Sequence, residues 1–288
     1  MVRNVIAMMG WLAAAGCGPS ATTQLSKDVV SEPSDPSFEK TWDRHRFDHG
    51  LWDAVVRRFV DDHGLVDYAD IGSDARYREY LYRLAHTDAG GLADDHERLA
   101  FWVNAYNALT IKGVLLTLPA DRAAWPSYSI KDQKIDGRSL WKGMVFEVGG
   151  ARWTLDGIEH GILRKQDGLR DPRIHVAIVC AARGCPRLWN RAYEPAQIDE
   201  QLADAVHRYL TDRRQCRIDV AGKTIKLSKI FDWYGGDFVD SSFSPHAPSV
   251  PAFLARYVGE AAKLSRALSH GEWEIDYFDY DWKLNLAP

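Results

Sequence analysis

Residues 99–116 read LAFWVNAYNALTIKGVLL, a run whose apolar side chains fall on nearly every face of a 3.6-residue helix. A surface helix keeps a polar face and this one has almost none, so the sequence predicts a buried central helix over Glu97 to Leu118, stopped by Pro119. Outward from it, Phe47, Leu51, Val55, Val56, Phe59 and Val60 recur at three- and four-residue intervals between Trp42 and Val60, and residues 74–86 and 196–211 repeat the pattern; all three are amphipathic helices by this reading. HGLVDYADI, residues 63–71, has strand and turn character, and a short helix is expected near 155–164. Strands are expected in FEVGGARWTL as a hairpin turning at Gly149-Gly150, in IHVAIVCA at 174–181, in Cys216 to Leu227 around Ala221-Gly222, and in Glu272 to Trp282. Helices outnumber strands and do not alternate regularly with them, which predicts an α+β fold rather than a doubly wound sheet.

The 288 residues are 46% hydrophobic and 26% charged, which excludes disorder for most of the chain. Eleven Trp, twelve Tyr and ten Phe are enough large side chains for one core, so residues 40–288 are read as a single folded unit. With 36 basic and 40 acidic residues the formal net charge is −4, and no basic field is available to hold a phosphate backbone. Nucleic acid is therefore not expected as a partner. Met1 to Ser20, MVRNVIAMMGWLAAAGCGPS, has a positive Arg3, an apolar stretch, and small residues just before Cys17. Residues 1–16 read as a secretory signal, and the small residues ending in Cys resemble the bacterial lipobox, which makes Cys17 the lipidated mature N-terminus. Gly18 in place of Asp points to the outer membrane. Residues 17–39, rich in Ser, Thr, Pro and Asp, read as a flexible tether. The expected location is thus the periplasm, with the membrane engaged through a lipid anchor.

Several polar residues lie where the pattern predicts burial. Asn104 and Asn107 share one face of the central helix; they either satisfy a neighbouring loop's backbone or line a cleft as oxyanion-type donors. In the short helix, Leu155, Ile158, Ile162 and Leu163 form the apolar stripe, which puts Glu159 on the inward face and His160 at the polar margin beside Asp156 and Arg164. A carboxylate there needs a partner, Arg164, Arg170 or Arg173, or else its proton affinity rises by desolvation. DPRIHVAIVCAARGCPRL, residues 171–188, joins His175 to Cys180 and Cys185, residue types suited to thiol nucleophile chemistry. On a regular strand His175 and Cys180 face opposite sides, so a bulge or strand end must intervene, or His160 is the nearer imidazole. Two other readings stand beside this one. Cys180 and Cys185 close a small disulfide loop, or they join His160 and His175 as zinc ligands, although that spacing matches no familiar zinc pattern. Asp237, after Gly235-Gly236, reads as a helix cap or a partner for an Arg.

Five ordered blocks, LAFWVNAYNALTI (99–111), LDGIEHGILR (155–164), DPRIHVAIVCAARGCPRL (171–188), LSKIFDWYGGDF (227–238) and YFDYDWKLN (277–285), together resemble the family called domain of unknown function 547, over roughly residues 90–285. The resemblance implies a relative of papain-like and transglutaminase-like thiol enzymes, with the central buried helix packed on a mostly antiparallel sheet. It carries over Asn104, Asn107, Glu159, His160, Arg164, His175, Cys180, Cys185, Trp233, Tyr234, Asp237 and Asp281 as polar signature positions. From the chemistry, Cys180 is the expected nucleophile, His175 or His160 the base, Glu159 the orienting carboxylate and Asn104 an aid to charge stabilisation. Cys185, Asn107, Arg164, Arg173, Trp233 and Asp237 are the expected binding positions. The expected activity is hydrolysis or transfer at amide or thioester bonds of a peptide-like or small thiol-containing substrate, with no cofactor and no metal. The other reading is a non-catalytic envelope scaffold that keeps a thiol-enzyme fold.

Overall fold

The computed structural model describes residues 36–38, 46–259 and 261–288. The signal, the Cys17 anchor and all of the tether but 36–38 lie outside the described residues. The chain opens with helices α1 (Gly50–Phe59) and α2 (Ala75–His86), packed on each other. The segment between them turns back so that Val66 bridges Val60 on one side and Leu286 on the other. Helix α3 (Asp95–Thr117) is the predicted central helix, buried continuously from Leu99 to Ile111. Asp94 caps it by accepting the Glu97 N–H at 2.9 Å, and Glu97 reaches back to the Ala93 N–H at 3.0 Å, so two otherwise orphan donors are satisfied reciprocally. By length and composition α3 could cross a membrane, but most of it is enclosed by the rest of the protein, as a core helix is.

A small hairpin of β1 (Lys134–Ile135) and β2 (Arg138–Ser139) leads into the one-turn α4 (Leu140–Gly143). The hairpin β3 (Phe146–Val148) and β4 (Ala151–Trp153) turns at Gly149-Gly150, both at positive φ. Gly149 is required twice over. Its φ is +64°, and a Cβ there would lie 2.8 Å from the Trp102 ring of α3. Next, α5 (Leu155–Gly157) widens into a π-helical turn over Ile158–Leu163, with the Arg164 N–H bonded to the Glu159 carbonyl at 3.0 Å. Helix α6 (Ile198–Thr211) is followed by β5 (Cys216–Asp219) and β6 (Thr224–Leu227), an antiparallel pair, then by α7 (Lys229–Tyr234), α8 (Val250–Leu254) and α9 (Ala262–His270). The last strand, β7 (Glu274–Tyr277), adds parallel to β6.

The fold is α+β, and two expectations need correction. First, no single sheet underlies α3: among the described residues the strands form separate sheets of two, two and three, and α3 packs mainly against α2, α5, α6 and short turns, meeting the β3–β4 hairpin through Trp102. Second, residues 174–181 are not a strand: Pro172–Val176 form a 3-10 turn and the chain then runs irregularly to Cys180. Asp171 starts that turn by accepting the Arg173 N–H at 2.8 Å, with Pro172 at its first position. The backbone bonds that a strand would make are made by a side chain instead. Asn107 donates to the Ala177 carbonyl at 3.0 Å and accepts the Val179 N–H at 2.9 Å. An apolar run signals burial, and burial is all it signals here.

The buried side chains form a large cluster around α3 and a smaller one among α6, the β5–β7 sheet, and α7 and α8. His49 is buried in the larger cluster, its Nδ1 2.8 Å from the Tyr80 hydroxyl. Burial pushes its imidazole down to about 3, against the pull of Asp48. Protons thus bind the unfolded chain better than the folded one between pH 6.5 and that value, so His49 contributes stability above pH 6.5 that is lost on acidification, at most about 5 kcal/mol. His49→Gln is expected to flatten the acid branch of the urea midpoint measured between pH 7 and 4; an unchanged branch would show that His49 is not the titrating group.

Candidate functional site

One cavity of about 290 Å³ is lined by Glu159, His160, His175, Cys180 and Cys185, together with Tyr106 of α3. Trp141, Trp233, Tyr234, Tyr280 and Trp282 wall it with rings. Trp233 stacks on Trp282 with centroids 5.8 Å apart. Asn107 shapes the cavity from behind by holding the 177–179 backbone. Asn104 lies outside it: its amide donates to the Tyr193 carbonyl at 2.7 Å and accepts the Tyr193 N–H at 3.0 Å. Both amides thus satisfy loop backbone, and Asn104 is not among the residues that line the cavity. Arg173 also lies elsewhere, lining a separate cavity of about 630 Å³ and bound to Asp171 and Asp199.

The π-helical turn presents adjacent residues to different surroundings. Glu159 is only 8% exposed and accepts from the Tyr106 hydroxyl at 3.3 Å. Among the described residues it forms no ion pair with Arg164, Arg170 or Arg173; Arg170 binds Asp167, and Arg164 turns to Asp237. That last pair is bidentate, Nε to Oδ2 at 2.6 Å and Nη2 to Oδ1 at 2.8 Å. Arg164 also donates from Nη1 to His160 Nδ1 at 2.7 Å. A guanidinium cannot accept, so this nitrogen is the unprotonated one and Nε2 of neutral His160 carries the proton.

Asp237 makes a second bond in the same site. His175 Nε2 lies 2.8 Å from its Oδ2, and Tyr234 stacks on the imidazole at 4.1 Å. Burial opposes the charge on Asp237, but hydrogen bonds from His175 and Arg164 outweigh it and hold the carboxyl at about 2. Burial pushes His175 below its ordinary value despite the bond to Asp237. At neutral pH the site therefore holds an ionised Asp237 accepting from Nε2 of a neutral imidazole, with Nδ1 left as the basic nitrogen.

Cys180, Cys185 and Cys216 are free thiols. The 180–185 loop is a preformed turn: Ala181 has φ +62°, the Cys185 N–H bonds to the Ala182 carbonyl at 3.0 Å, and backbone bonds at 2.8 Å join Arg183 to Lys283 and Gly184 to Asp281. Gly184 permits that close contact, since a Cβ would meet the Asp281 nitrogen at 2.8 Å and the Tyr280 ring at 3.0 Å. The Cys180 N–H points at Cys185 Sγ, 3.0 Å away, and the Tyr280 hydroxyl lies 3.2 Å from Cys180 Sγ and 3.0 Å from Cys185 Sγ. The Cys185 hydrogen bond and burial push the Cys180 thiol well up. For Cys185, burial also acts upward but is outweighed by hydrogen bonds from the Cys180 thiol, the Tyr280 hydroxyl and the Cys180 N–H, and the net direction is down. Sequence chemistry ranks Cys180 first; hydrogen bonding makes Cys185 the better thiolate. Among the described residues neither sulfur hydrogen-bonds an imidazole. Cys216, in β5, is pushed up to about 12 by burial and lies outside the cavity.

Tyr280, which lines the cavity and touches both sulfurs, is the contact that sequence reasoning misses. Its only signal is membership of the aromatic YFDYDW block, and nothing in residue spacing ties it to thiols 95 and 100 positions earlier. Among the described residues no three His, Cys, Asp or Glu side chains converge to hold a metal ion. Residues 91–210 match the family model described as "Protein of unknown function, DUF547". That supports the family resemblance over α3, the π-helical turn, both thiols and α6; Trp233, Asp237 and Tyr280 lie beyond the matched segment. No curated protein and no solved structure matches the chain.

Proposed function

We propose that this cavity is the active site of an envelope-anchored thiol hydrolase or transferase that acts on amide or thioester bonds of a peptide-like substrate. One observation carries the reading: a sulfur with stabilised thiolate, Cys185, shares an open, ring-walled cavity with an imidazole already oriented by a carboxylate, His175 on Asp237. Cys, His and an acidic partner are the parts that papain-like and transglutaminase-like chemistry uses, and this is the fold relation we favour. Here the sulfur's charge is held by a backbone N–H, a phenol and a second thiol, so an imidazole is not needed to create it. Cys185 attacks the substrate carbonyl, the C–N or C–S bond breaks, and the departing group takes a proton from the Cys180 thiol or the Tyr280 hydroxyl. His175 Nδ1 then accepts the proton of the incoming water or amine as the acyl group leaves sulfur, and that proton passes back to the Cys180 or Tyr280 group that gave one up, which restores the resting site. Catalytic hydrogen bonds that are long in an empty site tighten around substrate, so the missing sulfur–imidazole bond does not oppose this order of events. The Trp and Tyr walls suit the apolar face of an extended peptide.

Incubating the folded chain with an N-acetyl-aminoacyl thioester and mapping peptides by mass spectrometry tests the proposal. The expected result is an acyl group on Cys185 that clears with time in the unaltered chain and accumulates in His175→Gln. A chain that never acquires the acyl group refutes the enzyme and leaves the non-catalytic scaffold.

A further inference from the structure

An acyl-transfer nucleophile requires one sulfur, and this cavity holds two. The Cys180 backbone N–H donates to Cys185 Sγ, and a single phenolic oxygen touches both sulfurs, at 3.2 and 3.0 Å. Cys185 Sγ is 3.0 Å from that backbone nitrogen, so the 180–185 turn already brings this sulfur against the residue it would bond. The loop between them is tied at Ala181, Arg183 and Gly184 to residues 281–285, so the turn is already closed before any covalent bond forms. Both side chains line the same cavity, Cys180 partly exposed and Cys185 buried just behind it.

We propose that Cys180 and Cys185 are a thiol–disulfide exchange pair whose substrate is a low-molecular-weight or peptide disulfide. This activity goes beyond the acyl chemistry proposed above and needs the two sulfurs and Tyr280, not the His175–Asp237 pair. The Cys185 thiolate attacks one sulfur of the substrate disulfide; its S–S bond breaks, one thiolate leaves, and it takes a proton from the Cys180 thiol through the Tyr280 hydroxyl. The product is a mixed disulfide on Cys185. Cys180, now a thiolate, attacks the Cys185 sulfur, forms the 180–185 disulfide and expels the second thiolate, which is protonated by water. Two electrons pass from the protein to the substrate: one disulfide becomes two thiols, and two protein thiols become one disulfide. The contacts set the order: Cys185 Sγ takes both the Cys180 N–H and the Tyr280 hydroxyl and so attacks first, and Cys180, joined to the same hydroxyl, follows.

The test uses the full chain equilibrated in glutathione buffers of increasing oxidised fraction, quenched with N-ethylmaleimide and mapped by mass spectrometry. Cys180 and Cys185 are expected to lose alkylation together in one transition, with a 180–185 linked peptide two hydrogens lighter, while Cys216 stays reduced. Cys180→Ser is expected to stop at one glutathione on Cys185, and Tyr280→Phe to slow the first step severalfold at pH 7. The proposal is overturned if both thiols of the unaltered chain remain alkylatable at the oxidising end, if each takes up glutathione independently, or if oxidation joins two chains. Acylation and exchange leave different masses on the same unaltered chain, so failure of one is read separately from failure of the other.

Discussion

Asp237→Asn is expected to slow thioester turnover by about two to four orders of magnitude while changing the iodoacetamide labelling rate of Cys185 by no more than about twofold. The aspartate uses both oxygens on Arg164 and one of them again on His175. Asparagine offers one acceptor oxygen, and its amide protons face a guanidinium or an imidazole N–H that can only donate. Either Arg164 or His175 loses its partner, and the imidazole is free to move its proton from Nε2 to Nδ1, the nitrogen needed as base. The thiols are held by Tyr280 and their own loop, so their reactivity stays. Single-turnover acylation and deacylation rates, measured beside the labelling rate, check this. A loss below tenfold would mean that Asp237 only buttresses the fold.

Arg173→Met is expected to lower the melting temperature by about 10 °C, the consequence of about 3–5 kcal/mol lost when one partner of a buried ion pair is removed from a chain this long. Arg173 is 6% exposed; its Nη2 is 2.6 Å from Asp171 Oδ2 and also reaches Asp199 Oδ1 at 2.6 Å. Without the guanidinium, the buried Asp171 keeps its desolvation cost and loses its compensation. Burial already pushes Asp171 above its ordinary value against the pull of Arg173. A raised carboxyl favours the folded chain in its protonated form, so the deficit of Arg173→Met is expected to be largest near pH 7 and to narrow on acidification. Calorimetry across that range, with Asp171→Asn added to recover part of the loss, checks both statements. A deficit that does not change with pH would place the cost in lost packing instead.

The sequence makes legible what depends on local periodicity. The all-round apolar run 99–116 is the buried helix, and Gly149-Gly150 is the hairpin turn. Residues 174–181 are illegible for a definite reason: a buried strand and a buried coil have the same composition, and the difference lies in whether another strand or the Asn107 amide meets the backbone. At the site, Glu159, His160, His175, Cys180 and Cys185 are conspicuous because they are costly or reactive inside an apolar run. Their partners are less so: Asp237 is legible as a partner for an Arg, which Arg164 proves to be, but not as the partner of His175. Asp237 lies 62 residues from His175, and Tyr280 lies 95 residues beyond Cys185; no periodicity reaches that far. Arg173, expected among the binding positions, lies away from the thiols, paired with Asp171 and Asp199 beside a separate cavity.

The strap formed by residues 280–286 bears on the order in which the molecule comes into being. It lies across Val66, Ser129 and the thiol loop at Ala182, and it carries the phenol that touches both sulfurs. During biosynthesis the two cysteines leave the ribosome long before that phenol does, so a partly made chain carries ordinary thiols in an unfastened loop. A chain cut short of Tyr280 lacks both the hydroxyl that touches the two sulfurs and the backbone bonds that tie their loop.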